Sequence, residues 1–194
     1  MDYAQRVSFI DEVRRRIGDD EGDDLKAYRD SLGIETIGVG FNLTRSDARD
    51  ALAKCGVTDV DGVMNGTTAL TPAQDAALFE YSFAPIESEA RASLATGIYD
   101  SMTDARRFTI CDLVYNLGNA GWNDFTNTRA LLNEAQAAKN AGQASAHALF
   151  VLAAEHLEES DWYNQVGLRA KRNVAMIRSG VWVSPTGDGS DAPS

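Results

Sequence analysis

The sequence is poor in the residues that crosslink proteins or bind transition metals. Its 194 residues include only two cysteines and two histidines. Cys55 precedes a glycine at a predicted helix end, and Cys111 falls on an apolar helical stripe. Both are therefore expected to be free thiols that pack as small hydrophobic groups. No cysteine or acidic cluster surrounds His147 or His156 at metal-ligand spacing, so we expect no metal site and no cofactor.

Long apolar runs are also missing. No run of about 18 apolar residues occurs, and no stable membrane insertion is expected. The first residues, MDYAQRVSFIDEVRRR, mix apolar with charged residues and lack the apolar core of a secretory signal peptide. We therefore expect a protein that is made in the cytoplasm and needs another route to act outside it.

Positive charge is scarce as well. The chain has 18 Lys and Arg against 29 Asp and Glu, a formal net charge of −11. This balance argues against general nucleic-acid binding, which usually needs a basic face. It is also unfavourable for an enzyme that acts on an anionic polymer. Four basic residues with no acid among them are expected to offset it locally: Arg169, Lys171, Arg172 and Arg178.

The remaining composition, 44% hydrophobic and 24% charged, is typical of one globular domain. Residues 3–17 are predicted to form an amphipathic helix that stops at Gly18. The pattern then becomes strand-like from Leu25, with a turn at residues 31–33. Past residue 70 helical patterns dominate, beginning with a capping box at Thr71.

Gly38 and Gly40 remove two side chains from one face of the second predicted strand. Glycines in a strand often mark the close approach of a ligand or of another backbone. The alternative interpretation is a tight twist that packs on a neighbouring helix.

Two carboxylates and a hydroxyl stand in the stretch from 21 to 44 and permit glycoside hydrolysis. That reaction needs one carboxyl group that protonates the leaving oxygen and a second that stays ionised. Glu21 at a helix end and Asp30 across a hairpin are candidates, and Thr36 is placed to hold a water. Residue types alone also fit an ordinary charged surface hairpin. They leave inversion and retention open, because either carboxyl separation is possible.

The order of these residues resembles the phage-type lysozymes, glycoside hydrolase family 24. The pattern E-G-x5-Y-x-D-x2-G-x2-T-I-G-x-G runs without a gap from Glu21 to Gly40. A second match follows towards the other end of the chain: Phe125-Thr126-Asn127, Trp162-Tyr163-Asn164-Gln165, Arg169-Ala170-Lys171-Arg172 and Gly180-Val181-Trp182. Together the two matches cover most of the chain in the family's order.

The resemblance implies a muramidase of the endolysin type. Glu21 would be the general acid, Asp30 the second carboxylate and Thr36 the residue that positions water. The implied reaction is hydrolysis, with inversion, of the β-1,4 bond between N-acetylmuramic acid and N-acetylglucosamine in peptidoglycan. The protein would reach the cell wall after release that depends on a holin or on lysis.

The resemblance also implies substrate-binding residues. Phe125 and Asn127 would line the sugar groove. Asn116 stands where the family has a glutamine that faces the cleft. Arg169 would lie near the cleft, where it would steady the acid's ionic environment or meet peptide carboxylates. Glycan strands of peptidoglycan would be the partner of a monomeric protein.

The implied fold is α+β and mostly helical, a lysozyme-like domain of residues 1–183 with two lobes. Residues 18–70 would form the small lobe with the catalytic hairpin. Residues 1–17 plus 71–183 would form the helical lobe, with the cleft between the two. Residues 184–194 are expected to be a disordered tail.

Other functions are also compatible with the sequence. A lysozyme-fold module of a phage particle or a wall-binding module would bind glycan without cutting it. A secreted antibacterial effector would use the same muramidase chemistry. A lytic transglycosylase is disfavoured, because it would need neither Asp30 nor a water-holding Thr36.

Overall fold

The computed structural model describes residues 3–30 and 32–184, without the side chains of Tyr3, Asp20 and Glu21. Over these residues the chain forms ten helices and one three-stranded antiparallel sheet. The elements in chain order are α1 (Tyr3–Glu21), β1 (Asp24–Arg29), β2 (Glu35–Gly38), β3 (Phe41–Asn42), α2 (Ala48–Lys54), α3 (Val60–Met64), α4 (Pro72–Ala92), α5 (Ile98–Ser101), α6 (Asp104–Asp124), α7 (Thr126–Asn140), α8 (Ala146–Glu158), α9 (Asp161–Val166) and α10 (Leu168–Ser179). The expected α+β, mostly helical class is confirmed.

The chain divides into two compact units, Met1–Pro85 and Ile86–Ser194. The boundary falls at a proline inside α4, which continues as one helix through it. The predicted lobes, 18–70 against 1–17 plus 71–183, have other bounds and stay a prediction. Of the predicted tail, all but Ser184 lies outside the described residues.

Helix α1 continues past Gly18, so the stop predicted there is wrong. The glycine that ends the helix is Gly22, whose φ of 95° is left-handed and whose N–H donates to the Gly18 carbonyl at 2.8 Å. A glycine inside a helix costs only about 1 kcal/mol relative to alanine, whereas a left-handed cap favours one. The helix therefore extends its backbone to Glu21.

The central strand of the sheet is β2, between β1 and β3. Thr36 of β2 lies opposite Tyr28 on one side and Asn42 on the other. Successive strand residues point to opposite faces, so Thr36 and Ile37 face opposite ways. Ile37 is fully buried in the core of the first unit. Thr36 therefore lies on the face of the sheet that turns away from this core.

The capping box predicted at the start of α4 is confirmed. The Thr71 N–H donates to Gln74 Oε1 at 2.9 Å, and the Gln74 N–H donates to Thr71 Oγ1 at 3.3 Å. Asp75 follows in the first turn of α4 and lies against Gly38 of β2. Of the two interpretations of Gly38, the one that the structure supports is packing on a neighbouring helix.

The second unit has its own core, which α6, α7, α8 and α10 share. Its fully buried side chains include Ile110, Leu113, Trp122, Leu132, Phe150 and Ile177. Helix α6 breaks at Gly118, which has non-helical backbone angles. Cys111 is buried in this unit and Cys55 is half-buried in the first, and both are free thiols.

Candidate active site

The candidate residues are divided between the two units. The catalytic candidates belong to the first unit: Glu21, Asp30 and Thr36. The substrate-binding candidates belong to the second: Asn116, Phe125, Asn127 and Arg169. Glu21 is the last residue of α1, and its side chain lies outside the described residues.

Asp30 and Thr36 both bind the backbone of Ile34. Asp30 Oδ1 accepts from the Ile34 N–H at 2.8 Å and from the Leu32 N–H at 2.9 Å. Thr36 Oγ1 donates to the Ile34 carbonyl at 3.1 Å, which also accepts from the Asp30 N–H at 3.0 Å. The carboxylate and the hydroxyl are therefore tied to each other through one residue of the hairpin.

These bonds leave Asp30 Oδ2 and the lone pairs of Thr36 Oγ1 available to other groups. Both side-chain bonds of Asp30 use Oδ1, and among the described residues none binds Oδ2. A threonine hydroxyl has one proton and two lone pairs, and Thr36 has already donated its proton. Thr36 is thus an acceptor towards any further group, and at 4% exposure it is nearly closed to bulk water.

In the second unit, Asn116 binds an indole. Its Oδ1 accepts from Trp162 Nε1 at 2.9 Å, and Trp162 is buried at the start of α9. This bond explains why Trp162 lies in the core while its ring nitrogen still has an acceptor. It also fixes the direction of the exposed Asn116 amide.

Phe125 and Asn127 line a groove of about 240 Å³. The groove lies where α6 ends, α7 begins and α8 gives way to α9. The other side chains that line it are Asp124, Thr126, Thr128, His156 and Ser160. The Phe125 ring is stacked on Trp122, with ring centroids 5.9 Å apart. The groove is thus mostly polar, with one aromatic ring that offers an apolar face among several hydrogen-bonding groups.

Arg169 is held by a buried acid. Asp112 of α6 is 1% exposed, and it accepts from Arg169 Nε at 3.1 Å and from Arg169 Nη2 at 2.6 Å. Asn173 Nδ2 donates to the same carboxylate at 2.6 Å. Asp112 thus neutralises the charge of Arg169 and orients its guanidinium.

The basic cluster predicted from α10 is therefore not an available cationic surface. Arg169 is paired with Asp112, Arg178 Nη2 donates to Glu158 of α8 at 3.0 Å, and Arg172 is buried. Of the four, only Lys171 is well exposed. The acids come from other helices, which explains why the local sequence does not show them.

The sequence analysis did not identify Asp112 as the partner of a buried cation, although the residues around it indicate such a role. An acid in the middle of a run as apolar as Thr109 to Val114 must find a cation or move to the surface. His156 and Thr128 were also missed as groove residues. His156 carries no such signal, because its segment is distant in sequence from residues 124–128, whereas Thr128 directly follows the predicted Asn127.

The described part of the chain contains no group of three or more His, Cys, Asp or Glu that would hold a metal ion. No helix within it is both long enough and apolar enough to cross a membrane. Burial raises the pKa of the Cys111 thiol to about 12, so this cysteine is a structural group rather than a nucleophile.

The family model of the phage lysozymes matches residues 18–173, which include every candidate residue named above. A probable T4-type lysozyme 1 from Dictyostelium discoideum is 26% identical over 180 residues, 89% of this chain and 97% of its own. A probable T4-type lysozyme 2 from the same organism is 23% identical over 171 residues, which are 84% of this chain and 91% of its own. The endolysin of Salmonella phage P22 is 30% identical over 127 residues, which are 65% of this chain and 75% of its own. The fold is accordingly lysozyme-like, and the chain belongs to the phage lysozyme family.

Proposed function

We propose that the protein is a muramidase that hydrolyses the β-1,4 bond between N-acetylmuramic acid and N-acetylglucosamine in peptidoglycan. Glu21 protonates the leaving oxygen, Asp30 is the second carboxylate, and Thr36 positions the attacking water. Membership of the phage lysozyme family supports this chemistry. The name of the P22 relative, an endolysin, supports a role in lysis of the bacterial cell wall.

The observation that carries the proposal is the shared binding of Asp30 and Thr36 to Ile34. Because the proton of Thr36 goes to Ile34, a water bound to Thr36 must donate to it. In the proposed reaction the second proton of that water goes to Asp30, which leaves a lone pair of the water to attack the sugar carbon. Attack by a bound water that a carboxylate deprotonates gives inversion.

The groove beside Phe125 and Asn127 is the proposed sugar-binding surface of the second unit. The ring offers an apolar face to a pyranose, and the amide and hydroxyl groups around it offer partners for N-acetyl and hydroxyl groups. Asn116 and Arg169, fixed by Trp162 and Asp112, complete the proposed binding set. No cofactor takes part, and the protein acts as a monomer on glycan strands, after release from the cytoplasm.

The test uses purified peptidoglycan and outer-membrane-stripped cells. Wild type is expected to clear the cells and to release fragments with muramic acid at the reducing end, as identified by mass spectrometry. Glu21→Gln is expected to fold normally and to lose nearly all release. Glu35→Gln is the matched control, because Glu35 is an exposed acid of the same hairpin that pairs only with Arg29 at 3.4 Å among the described residues.

Each other outcome identifies a different function. Anhydro-muramic products would make the protein a transglycosylase. Binding to the wall without release of fragments would make it a binding module. Release by Glu21→Gln at the wild-type rate would remove Glu21 from the role of acid. The anomer formed first, read by NMR, decides between inversion and retention.

A further inference from the structure

Three elements of the first unit meet at one ion pair, of which the acid is buried and the arginine is 26% exposed. Arg14 lies on α1, Asp75 in the first turn of α4, and Gly38 at the end of β2. Arg14 Nη2 donates to Asp75 Oδ2, and also to Asp23 Oδ2 at 2.7 Å. The side chain of Asp75 is 1% exposed. A charged group so deeply buried is costly unless it is paired, so this contact is a defined part of the fold.

The Asp75 carboxylate lies directly against the backbone of β2. A Cβ built on Gly38 would collide with Asp75 Oδ1, and the φ of Gly38 is 57°. Gly38 follows Thr36 by two residues in the same strand. Asp75 therefore supports the strand that carries the candidate water-positioning residue.

Arg14 connects this carboxylate to the end of α1. It lies about two helical turns before Glu21, and its second partner, Asp23, follows directly after the Gly22 cap. A Cβ built on Gly18 would be 3.5 Å from Asp23 Cβ and 3.7 Å from Val39 Cγ2. The last turns of α1 thus lie on the loop after the helix and on the residue that follows β2.

The ion pair is a poor source of stability. Burial raises the pKa of Asp75 and Asp23 adds to this effect, although Arg14 opposes it. Arg14 Nε is buried and finds no acceptor in the described part of the chain. Replacing a buried ion pair by uncharged groups of similar size is often neutral or stabilising. What the pair does supply is a defined position of α1 relative to β2.

We propose that Arg14 and Asp75 are positioning residues, which hold the end of α1 that carries Glu21 against the strand that carries Thr36. In this role neither residue needs to contact substrate. The catalytic part of this proposal rests on the proposed function, whereas the coupling between α1 and β2 does not.

The test is the double variant Arg14→Met/Asp75→Asn, which removes both charges and leaves no unpaired buried ion. Two quantities are measured: kcat and KM on soluble glycan fragments of peptidoglycan, and amide hydrogen exchange by NMR. We expect kcat to fall about tenfold with KM unchanged, because small misplacements of catalytic groups lower the rate steeply. We also expect faster exchange of the Gly22 amide, which donates to Gly18 in the last turn of α1.

Arg15→Met is the matched control. Arg15 is the next residue on α1, and it is 47% exposed and paired with Glu12 and Asp19 of the same helix. It should leave kcat and the Gly22 amide as in wild type. In all variants the amides of α8, in the second unit, should exchange as in wild type, which shows that the effect is confined to the first unit.

The proposal is overturned if the double variant keeps the wild-type kcat, or if its Gly22 amide exchanges as slowly as in Arg15→Met. A rise in KM at constant kcat also overturns it, because that result indicates a binding role. A wild type that cuts no peptidoglycan would overturn the proposed function and the catalytic part of this proposal. Faster Gly22 exchange in the double variant would still support the coupling.

Discussion

Asp112 and Arg169 form a two-point contact inside the second unit, through Arg169 Nε at 3.1 Å and Nη2 at 2.6 Å. Asp112→Asn keeps the shape of the side chain but leaves the guanidinium without a counter-charge. Since Arg169 is only 11% exposed, we expect a loss of about 3 kcal/mol in the free energy of unfolding. Urea denaturation measures it.

Glu158→Gln is the control for this variant. It also removes an acid that pairs with an arginine of α10, but the side chains of Glu158 and Arg178 are about one-third exposed. An exposed pair contributes at most about 1 kcal/mol. Equal losses in the two variants would show that burial of the Asp112 pair has no energetic consequence.

Asp30→Asn and Asp30→Ala separate the structural role of Asp30 from its proposed chemistry. Asparagine keeps an oxygen that accepts from the Leu32 and Ile34 amides, so stability should stay near wild type. Alanine loses both bonds and should cost about 1–2 kcal/mol. Both variants should lose about 100-fold or more in peptidoglycan hydrolysis, because each lacks the proposed base. Wild-type hydrolysis by Asp30→Asn would exclude Asp30 from the reaction.

Gly180→Ala should destabilise the protein more than Gly142→Ala. Both glycines have left-handed φ, 74° and 68°. A Cβ at 180 would lie 2.7 Å from Cζ of Arg106, whereas at 142 it meets nothing within 4 Å. Arg106 is buried and donates to the Ile177 carbonyl at 2.9 Å, so it cannot move aside easily. We expect about 1 kcal/mol for position 142 and about 1–3 kcal/mol more for position 180, as measured by thermal or urea unfolding.

Stability should depend on pH through Asp75. Its pKa is raised in the folded protein, mainly by burial. The stabilisation that this group contributes is therefore fully present below about pH 4, the ordinary pKa of an aspartate in the unfolded chain. It is lost as the pH rises through the raised folded pKa. Asp75→Asn lacks this titration, so wild type should lose stability relative to the variant as the pH rises above about 4. A constant difference across this range would contradict the assignment.

Local sequence signals predicted many elements of the chain. The capping box at Thr71 and Gln74 and the strands on either side of the 31–33 turn involve neighbours in sequence. Such features follow from backbone preferences and short-range hydrogen bonds, and a sequence displays both directly. The end of α1 was predicted four residues early because Gly18 and Gly22 are both glycines. Of these two glycines, only Gly22 has the left-handed φ that ends a helix.

By itself, the sequence determined the α+β class, the family and the positions of Glu21, Asp30 and Thr36 within one motif. Only the tertiary structure decided how charges pair. It placed Asp112 on Arg169, Glu158 on Arg178 and Asp75 on Arg14, partners that are 20 to 61 residues apart. The physical reason is that the energy of a buried charge depends on the distance to its counter-charge and on exclusion of water, and only the packing of distant segments sets these.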